Sequence, residues 1–191
     1  ETSLAEGETF FLPVLGVHNI HNALAGILIA RKFGLSVDDM KEGLQSLKLT
    51  QMRMEMVEGK KGESIINDAY NASPTSMKAA IQLVSELEGF HTKILVLGDM
   101  LELGDQEEEF HQEIGQLINP EKVQHVFTFG PLGGFIGKGA LENFSPDRVH
   151  SFTDKDSLTK ELSSFITGEE LILFKASRGM KLEEVIDGLK A

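Results

Sequence analysis

Apolar positions follow one rhythm up to residue 50 and another beyond it. In the first stretch Thr9-Phe10-Phe11-Leu12 reads as a short strand closed by Pro13. From His18 onward Ile20, Ala23, Leu24, Ile27 and Leu28 recur at helical spacing and form one stripe expected to be buried. Gly34 fits the position past the helix end, where a left-handed backbone is needed. Ser36-Val37-Asp38-Asp39 reads as a capping box with Asp in the place of Glu, and Met40, Leu44 and Leu47 give the next helix its apolar face. Two helices and one strand have too little surface to close a core. Residues 1–50 are therefore expected to be the tail of a domain that begins further upstream, ending in a linker at Thr50-Gln51-Met52-Arg53.

From Met54 short apolar runs alternate with helical stretches. Met54–Glu58 and Glu63–Asn67 read as strands joined by the turn Gly59-Lys60-Lys61-Gly62. After Asn67-Asp68-Ala69-Tyr70-Asn71-Ala72, Ser73 before Pro74 marks an N-cap and a first helical residue, and Met77, Ala80, Ile81, Val84 and Leu87 continue at helical spacing. Lys93–Gly98 has the continuous apolar character of a central parallel strand. Asp105 with Glu108 is expected to cap a helix carrying Phe110, Ile114 and Leu117. Val123–Phe129 is a further strand, followed by the glycine-rich Gly130–Gly139, to which no helix is assigned. Arg148–Phe152 fits a short edge strand, and Asp154 opens a helix with Leu158, Leu162 and Phe165. Leu171–Phe174 is a buried strand and Met180–Leu189 a final helix. The alternation predicts an α/β fold, a Rossmann-like open, mostly parallel sheet flanked by helices, with ligands at the strand ends.

Composition narrows the function classes. The 191 residues are 41% hydrophobic and 25% charged, as in soluble globular proteins. Against 30 acidic residues stand 18 basic ones, a net charge of −12 that argues against a broad nucleic-acid surface. No run reaches the roughly 20 apolar residues of a membrane span, and Glu1–Glu8 lacks a signal-peptide pattern. Cysteine is absent, which suits a reducing compartment. No membrane partner and a cytoplasmic location are expected.

Polar residues cluster after the apolar runs: Asp68 and Asn71 after the first, Asp99, Glu102 and Gly104 after the second, Lys175, Ser177, Arg178 and Gly179 after the last. Parallel strands would bring these ends to one edge. The Asp68–Pro74 break suits a phosphate- or carboxylate-bearing ligand beside a helix start, or is an ordinary turn whose Asn and Asp cap their own backbone. Likewise Lys175 and Arg178 either face a ligand or pair with Asp99 or Glu183. His18, His21 and Asn22 share a helix face. With no third ligand evident, the local reading there is a helix-start cap made by Asn19, and no metal site is assigned. There is no G-x-x-x-x-G-K-[ST] loop and no G-x-G-x-x-G.

Taken together, Gly16–Ala25, Arg53, Asn67–Pro74, Leu97–Gly104 and Lys175–Met180 resemble, in order and spacing, motifs of the Mur ligases, above all the member that adds D-alanyl-D-alanine. Ala176 stands where that family commonly has glycine. The resemblance implies an ATP- and magnesium-dependent amide ligase of peptidoglycan synthesis, joining UDP-N-acetylmuramoyl-tripeptide to D-Ala-D-Ala through an acyl phosphate, and acting as a monomer. It implies that residues 1–50 end a central ATP-binding domain whose phosphate loop lies upstream, that 51–191 form the C-terminal Rossmann-like domain, and that the chain alone is inactive. By motif, Asn22 would contact the adenine, with His18 and Asn19 shaping that pocket, and Arg53 would reach the phosphates. Asp68 would bind the ribose, Tyr70 and Asn71 would line the nucleotide or amine side, and Lys175, Ser177 and Arg178 would face the dipeptide. Arg53 and Asn71 carry the catalytic assignments. A sibling ligase adding another amine, of Mur or folylpolyglutamate type, and a non-catalytic nucleotide-binding module are the alternatives.

Overall fold

Side-chain caps at Ser36, Ser73 and Asp154 open helices in the computed structural model, which describes residues 7–14, 17–47 and 51–190, the side chains of Val17 and His18 excepted. The chain divides into two compact units, Glu1–Thr50 and Gln51–Ala191.

In the first unit, helix α1 spans Val17–Lys32 and α2 spans Val37–Gln45. Gly34 takes φ +84° and donates to Arg31, while Leu35 N–H reaches back to Ala30, so the end of α1 is a Schellman motif. Ser36 and Asp39 form the expected capping box. Three expectations fail here. Thr9–Leu12 is irregular, with no strand beside it among the described residues to hydrogen-bond it. Asn19 is not the N-cap residue, because the helix already begins at Val17. The α1 stripe is largely exposed: Ile27 is buried, but Ile20, Leu24 and Leu28 are not.

The second unit is built on six strands: β1 Glu55–Glu58, β2 Ser64–Asp68, β3 Thr92–Gly98, β4 His125–Phe129, β5 Val149–Phe152 and β6 Glu170–Lys175. Their order is β1-β2-β6-β3-β4-β5, with β1 antiparallel and the rest parallel. The last strand in sequence thus lies between β2 and β3, and all six of its residues are buried. Helices α3 Pro74–Glu86, α4 Glu107–Gln116, α5 Gly133–Ala140, α6 Lys155–Phe165 and α7 Glu183–Leu189 flank the sheet. On one face Ile65, Ile172, Ile94, Val96 and Phe127 meet Leu158 and Leu162 of α6 and Val185 and Ile186 of α7. Each such side chain contributes roughly 1.5–3 kcal/mol by leaving water.

Ser73 caps α3 as the sequence predicts, and Asp154 caps α6. Asp105 caps nothing, because Gly104–Gln106 first makes a 3-10 turn and α4 begins at Glu107 without a side-chain cap. The glycine-rich stretch is helical over Gly133–Ala140, and the final helix starts later than expected, after a 3-10 turn at Arg178–Met180 and a left-handed Lys181.

Candidate functional site

The parallel register places Asp68 beside Lys175 and Leu97 beside the same lysine, so the C-terminal ends of β2, β6 and β3 adjoin at one edge. Lys175 is only 2% exposed. Its ammonium donates to the Asp68 carboxylate and, at 3.1 Å, to the Asn71 carbonyl oxygen. The other Asp68 oxygen accepts the Met54 N–H at 3.2 Å. Lys175 therefore turns inward and ties two strand ends together, rather than facing a dipeptide as expected. Its partner is Asp68, not Asp99 or Glu183.

Ahead of β1 the chain folds back on this edge. Met52 and Met54 both adopt left-handed backbones, φ +61° and +50°, on either side of Arg53. Non-glycine residues pay of order 1–3 kcal/mol for such conformations, which persist only where the surroundings over-determine them. Here Tyr70 N–H donates to the Met52 carbonyl at 3.1 Å and Glu55 Oε2 accepts the Met52 N–H at 3.0 Å. The result sets the Arg53 guanidinium 4.5 Å from the centre of the Tyr70 ring. Arg53, Tyr70 and Asn71 are exposed; the Asn71 amide oxygen accepts its neighbour Ala72 N–H at 2.9 Å.

Arg178 closes the other side. It pairs with Glu183, as one of the two sequence alternatives foresees, and a guanidinium N–H reaches the Met52 sulfur at 3.5 Å. Ser177 is buried and serves the backbone: its N–H donates to the Asp99 carbonyl at 3.0 Å, and its hydroxyl accepts the Leu101 N–H at 2.9 Å. It too turns away from solvent. Asp99 points into the start of α5, where its carboxylate accepts the Gly133 N–H at 2.6 Å. Burial raises its carboxyl above the usual range, against the opposing pull of the Gly133 and Leu132 N–H groups.

The structure thus gathers Arg53, Asp68, Tyr70, Asn71, Lys175, Ser177 and Arg178 in the second unit, with the first, third, fourth and last of them open to solvent. Asn19 and Asn22 lie in the first unit, one turn apart on α1, and the amide of Asn22 donates to Asn19 at 3.5 Å. The His18 side chain lies outside the described residues. Sequence reasoning missed His111, which is fully buried and accepts the Met100 N–H at 2.8 Å. The Glu107 backbone carbonyl holds the other ring nitrogen at 2.6 Å, and because both partners are backbone groups no residue pattern signals the contact. A groove of about 960 Å³ lined by Glu107, Glu108, Gln112, Glu113 and Lys138 runs along α4 and α5, and none of Arg53, Asp68, Tyr70, Asn71, Lys175, Ser177 and Arg178 lines it. Among the described residues no three His, Asp or Glu side chains group as metal ligands. No helix among them is long and apolar enough to cross a membrane.

A strand edge with an exposed arginine on a tyrosine, a mostly covered carboxylate and a second arginine is suited to anionic, hydroxyl-bearing ligands. A family model described as Mur ligase, glutamate ligase domain, matches residues 52–178. The chain is 56% identical over 181 residues to the UDP-N-acetylmuramoyl-tripeptide–D-alanyl-D-alanine ligase of Bacillus subtilis (strain 168), covering 95% of this chain and 40% of that protein. A crystal structure of MurF from Acinetobacter baumannii superposes with TM-score 0.84 at 28% identity, over 94% of this chain and 39% of that one. MurF ligase from Thermotoga maritima in complex with ADP gives TM-score 0.77 at 28% identity, over 92% and 38%. The chain spans well under half the length of the relatives it matches.

Proposed function

This chain belongs to the Mur ligase family, and from that membership we propose that it supplies one wall of the catalytic cleft of an ATP-dependent ligase joining D-Ala-D-Ala to UDP-N-acetylmuramoyl-tripeptide. The observation that carries the proposal is the gathering of Arg53, Asp68, Tyr70 and Arg178 at the strand edge of a domain of this family.

In this reading ATP transfers its γ-phosphoryl to the tripeptide carboxylate, releasing ADP. The dipeptide amine attacks the acyl phosphate carbon, loses a proton, and expels phosphate through a tetrahedral intermediate to leave the amide. The Arg53 guanidinium, held in place by its strained neighbours, meets the phosphates, where a fixed cation stabilises developing charge. Asp68 has lone pairs left after its two contacts and takes the ribose hydroxyls. Tyr70 and Asn71 line the nucleotide or amine side, and Arg178 takes a carboxylate. Lys175 and Ser177 hold these groups from below. ATP and magnesium both need the upstream region for full binding in this reading, and no step is assigned to that ion.

We place residues 1–50 at the end of a central ATP-binding domain, with His18, Asn19 and Asn22 toward adenine, and residues 51–191 in the C-terminal domain of a monomeric cytoplasmic enzyme. The chain by itself, lacking a phosphate loop of its own, is expected to be inactive. A ligation assay tests this. The longer protein carrying this sequence should consume ATP and join D-Ala-D-Ala but not glutamate to the tripeptide, while the 191-residue chain does neither. Ligation of glutamate instead would make it a sibling ligase, and a chain that binds nucleotide tightly without any turnover in the longer protein would make it a binding module.

A further inference from the structure

We propose that Leu101 and Glu102 form a specificity-determining tip that receives a short zwitterionic peptide with small alkyl side chains, and that His111 and Ser177 position it. The inference rests on the ligase reading above and names the residues that select its amine-bearing substrate.

The loop after β3 is pinned at three successive residues. The Asp99 carbonyl accepts from Ser177 N–H, the Met100 N–H donates to His111 Nε2, and the Leu101 N–H donates to Ser177 Oγ. Because Nε2 accepts, the ring is neutral and carries its proton on Nδ1, which donates to the Glu107 carbonyl. Met100 and His111 are fully buried, so this scaffold belongs to the core. What it holds outward does not: Leu101 is 41% exposed, and Glu102 is exposed with no hydrogen-bond or ion-pair partner among the described residues.

Two features set this tip apart from an ordinary loop. Glu102 adopts φ +65°, a left-handed conformation that glycine or asparagine would take at lower cost. Leu101 lies over the Gly179 backbone, where an added Cβ would come within 2.9 Å of its Cδ1, and so sits directly beside Arg178. The groups on offer here are the Glu102 carboxylate, the Leu101 side chain before it and the exposed Arg178, which also pairs with Glu183. They complement an ammonium, a methyl group and a carboxylate, the three groups that a dialanine offers.

The test is steady-state kinetics of the longer ligase carrying this sequence. Glu102→Gln, Glu102→Gly and Leu101→Ala should each raise KM for D-Ala-D-Ala at least tenfold and leave KM for ATP within twofold. Glu102→Gly relieves the left-handed backbone, so its thermal midpoint should not fall, which separates lost recognition from lost folding. Ser177→Ala, which strips the Leu101 N–H of its acceptor, should shift the dipeptide constant in the same direction. Normal ligation with dipeptide KM unmoved in Glu102→Gln and Leu101→Ala overturns this inference alone. Failure of the unsubstituted enzyme to join the dipeptide overturns the ligase reading and this one with it.

Discussion

Lys175, buried at the end of β6, shares its ammonium between the Asp68 carboxylate at the end of β2 and the carbonyl oxygen of Asn71. A buried ion pair gains little over an apolar pair of the same shape, but removing one partner leaves the other charged and unpaired.

Lys175→Met should therefore destabilise the chain by about 3–5 kcal/mol, while the double variant Lys175→Met/Asp68→Leu recovers most of that loss. Denaturant unfolding of the 191-residue chain measures both. Equal losses in the single and double variants would show that the lysine acts through packing alone.

Arg53 predicts the opposite balance between stability and activity. It is exposed, and its contact with Tyr70 is worth only about 0.5–1 kcal/mol. Arg53→Ala should unfold within about 1 kcal/mol of the parent, yet lower ligation by the longer enzyme on the order of 10²–10³-fold if the guanidinium meets developing phosphate charge. Unchanged turnover would remove it from the site.

A histidine pair on β4 and β5 gives a pH dependence. His125 and His150 lie 5.9 Å apart, packed against Phe165, with His150 also stacked on Phe127. Burial lowers both below the ordinary 6.5, and for His125 the neighbouring His150 and Arg148 add to the effect; Glu161 and Asp147 pull His150 the other way. With folded values depressed, the unfolded chain takes up protons first. The contribution is thus fully present above the unfolded value of 6.5 and is lost as pH falls below it. Unfolding free energy should drop between neutrality and mildly acid pH, and His150→Phe should flatten that slope. Asp99, raised by burial, works in the other direction: its ionised form costs stability, a cost relieved as pH falls through its folded value.

How much of this was legible in the sequence depended on how local the cause was. The Ser36 and Ser73 caps, the Asp154 cap and the Gly34 end are written within four residues of themselves, and all appear as expected. The parallel sheet followed from the spacing of apolar runs, and the strand-end edge followed from the sheet. The Lys175–Asp68 pair spans 107 residues and exists because β6 inserts between β2 and β3, an order that no local pattern encodes. Nor does methionine signal a left-handed backbone, so the strained frame of Arg53 left no trace at Met52 and Met54. The α1 stripe was read correctly as apolar and wrongly as covered, because burial belongs to the partner surface as much as to the stripe.

The helix that the sequence did not suggest yields the sharpest stability test. Glycine is a poor helix former, yet α5 contains Gly133, Gly134, Gly137 and Gly139. The reason is its approach to α4: a Cβ at Gly139 would overlap the Gln112 carbonyl, and one at Gly115 on α4 would overlap the Ile136 carbonyl. Replacing a helical glycine by alanine gains about 0.8–1 kcal/mol in propensity, whereas forcing backbone apart in a packed contact costs about 1–3 kcal/mol or more. Overlap wins at those two sites, so Gly115→Ala and Gly139→Ala should both destabilise. At Gly134, in the same α5, an added Cβ meets nothing within 4 Å, so propensity decides and Gly134→Ala should stabilise by up to about 1 kcal/mol. Thermal unfolding of the three variants should place Gly134→Ala at or above the parent and the other two below it. A uniform gain would mean that the two helices do not pack at this distance.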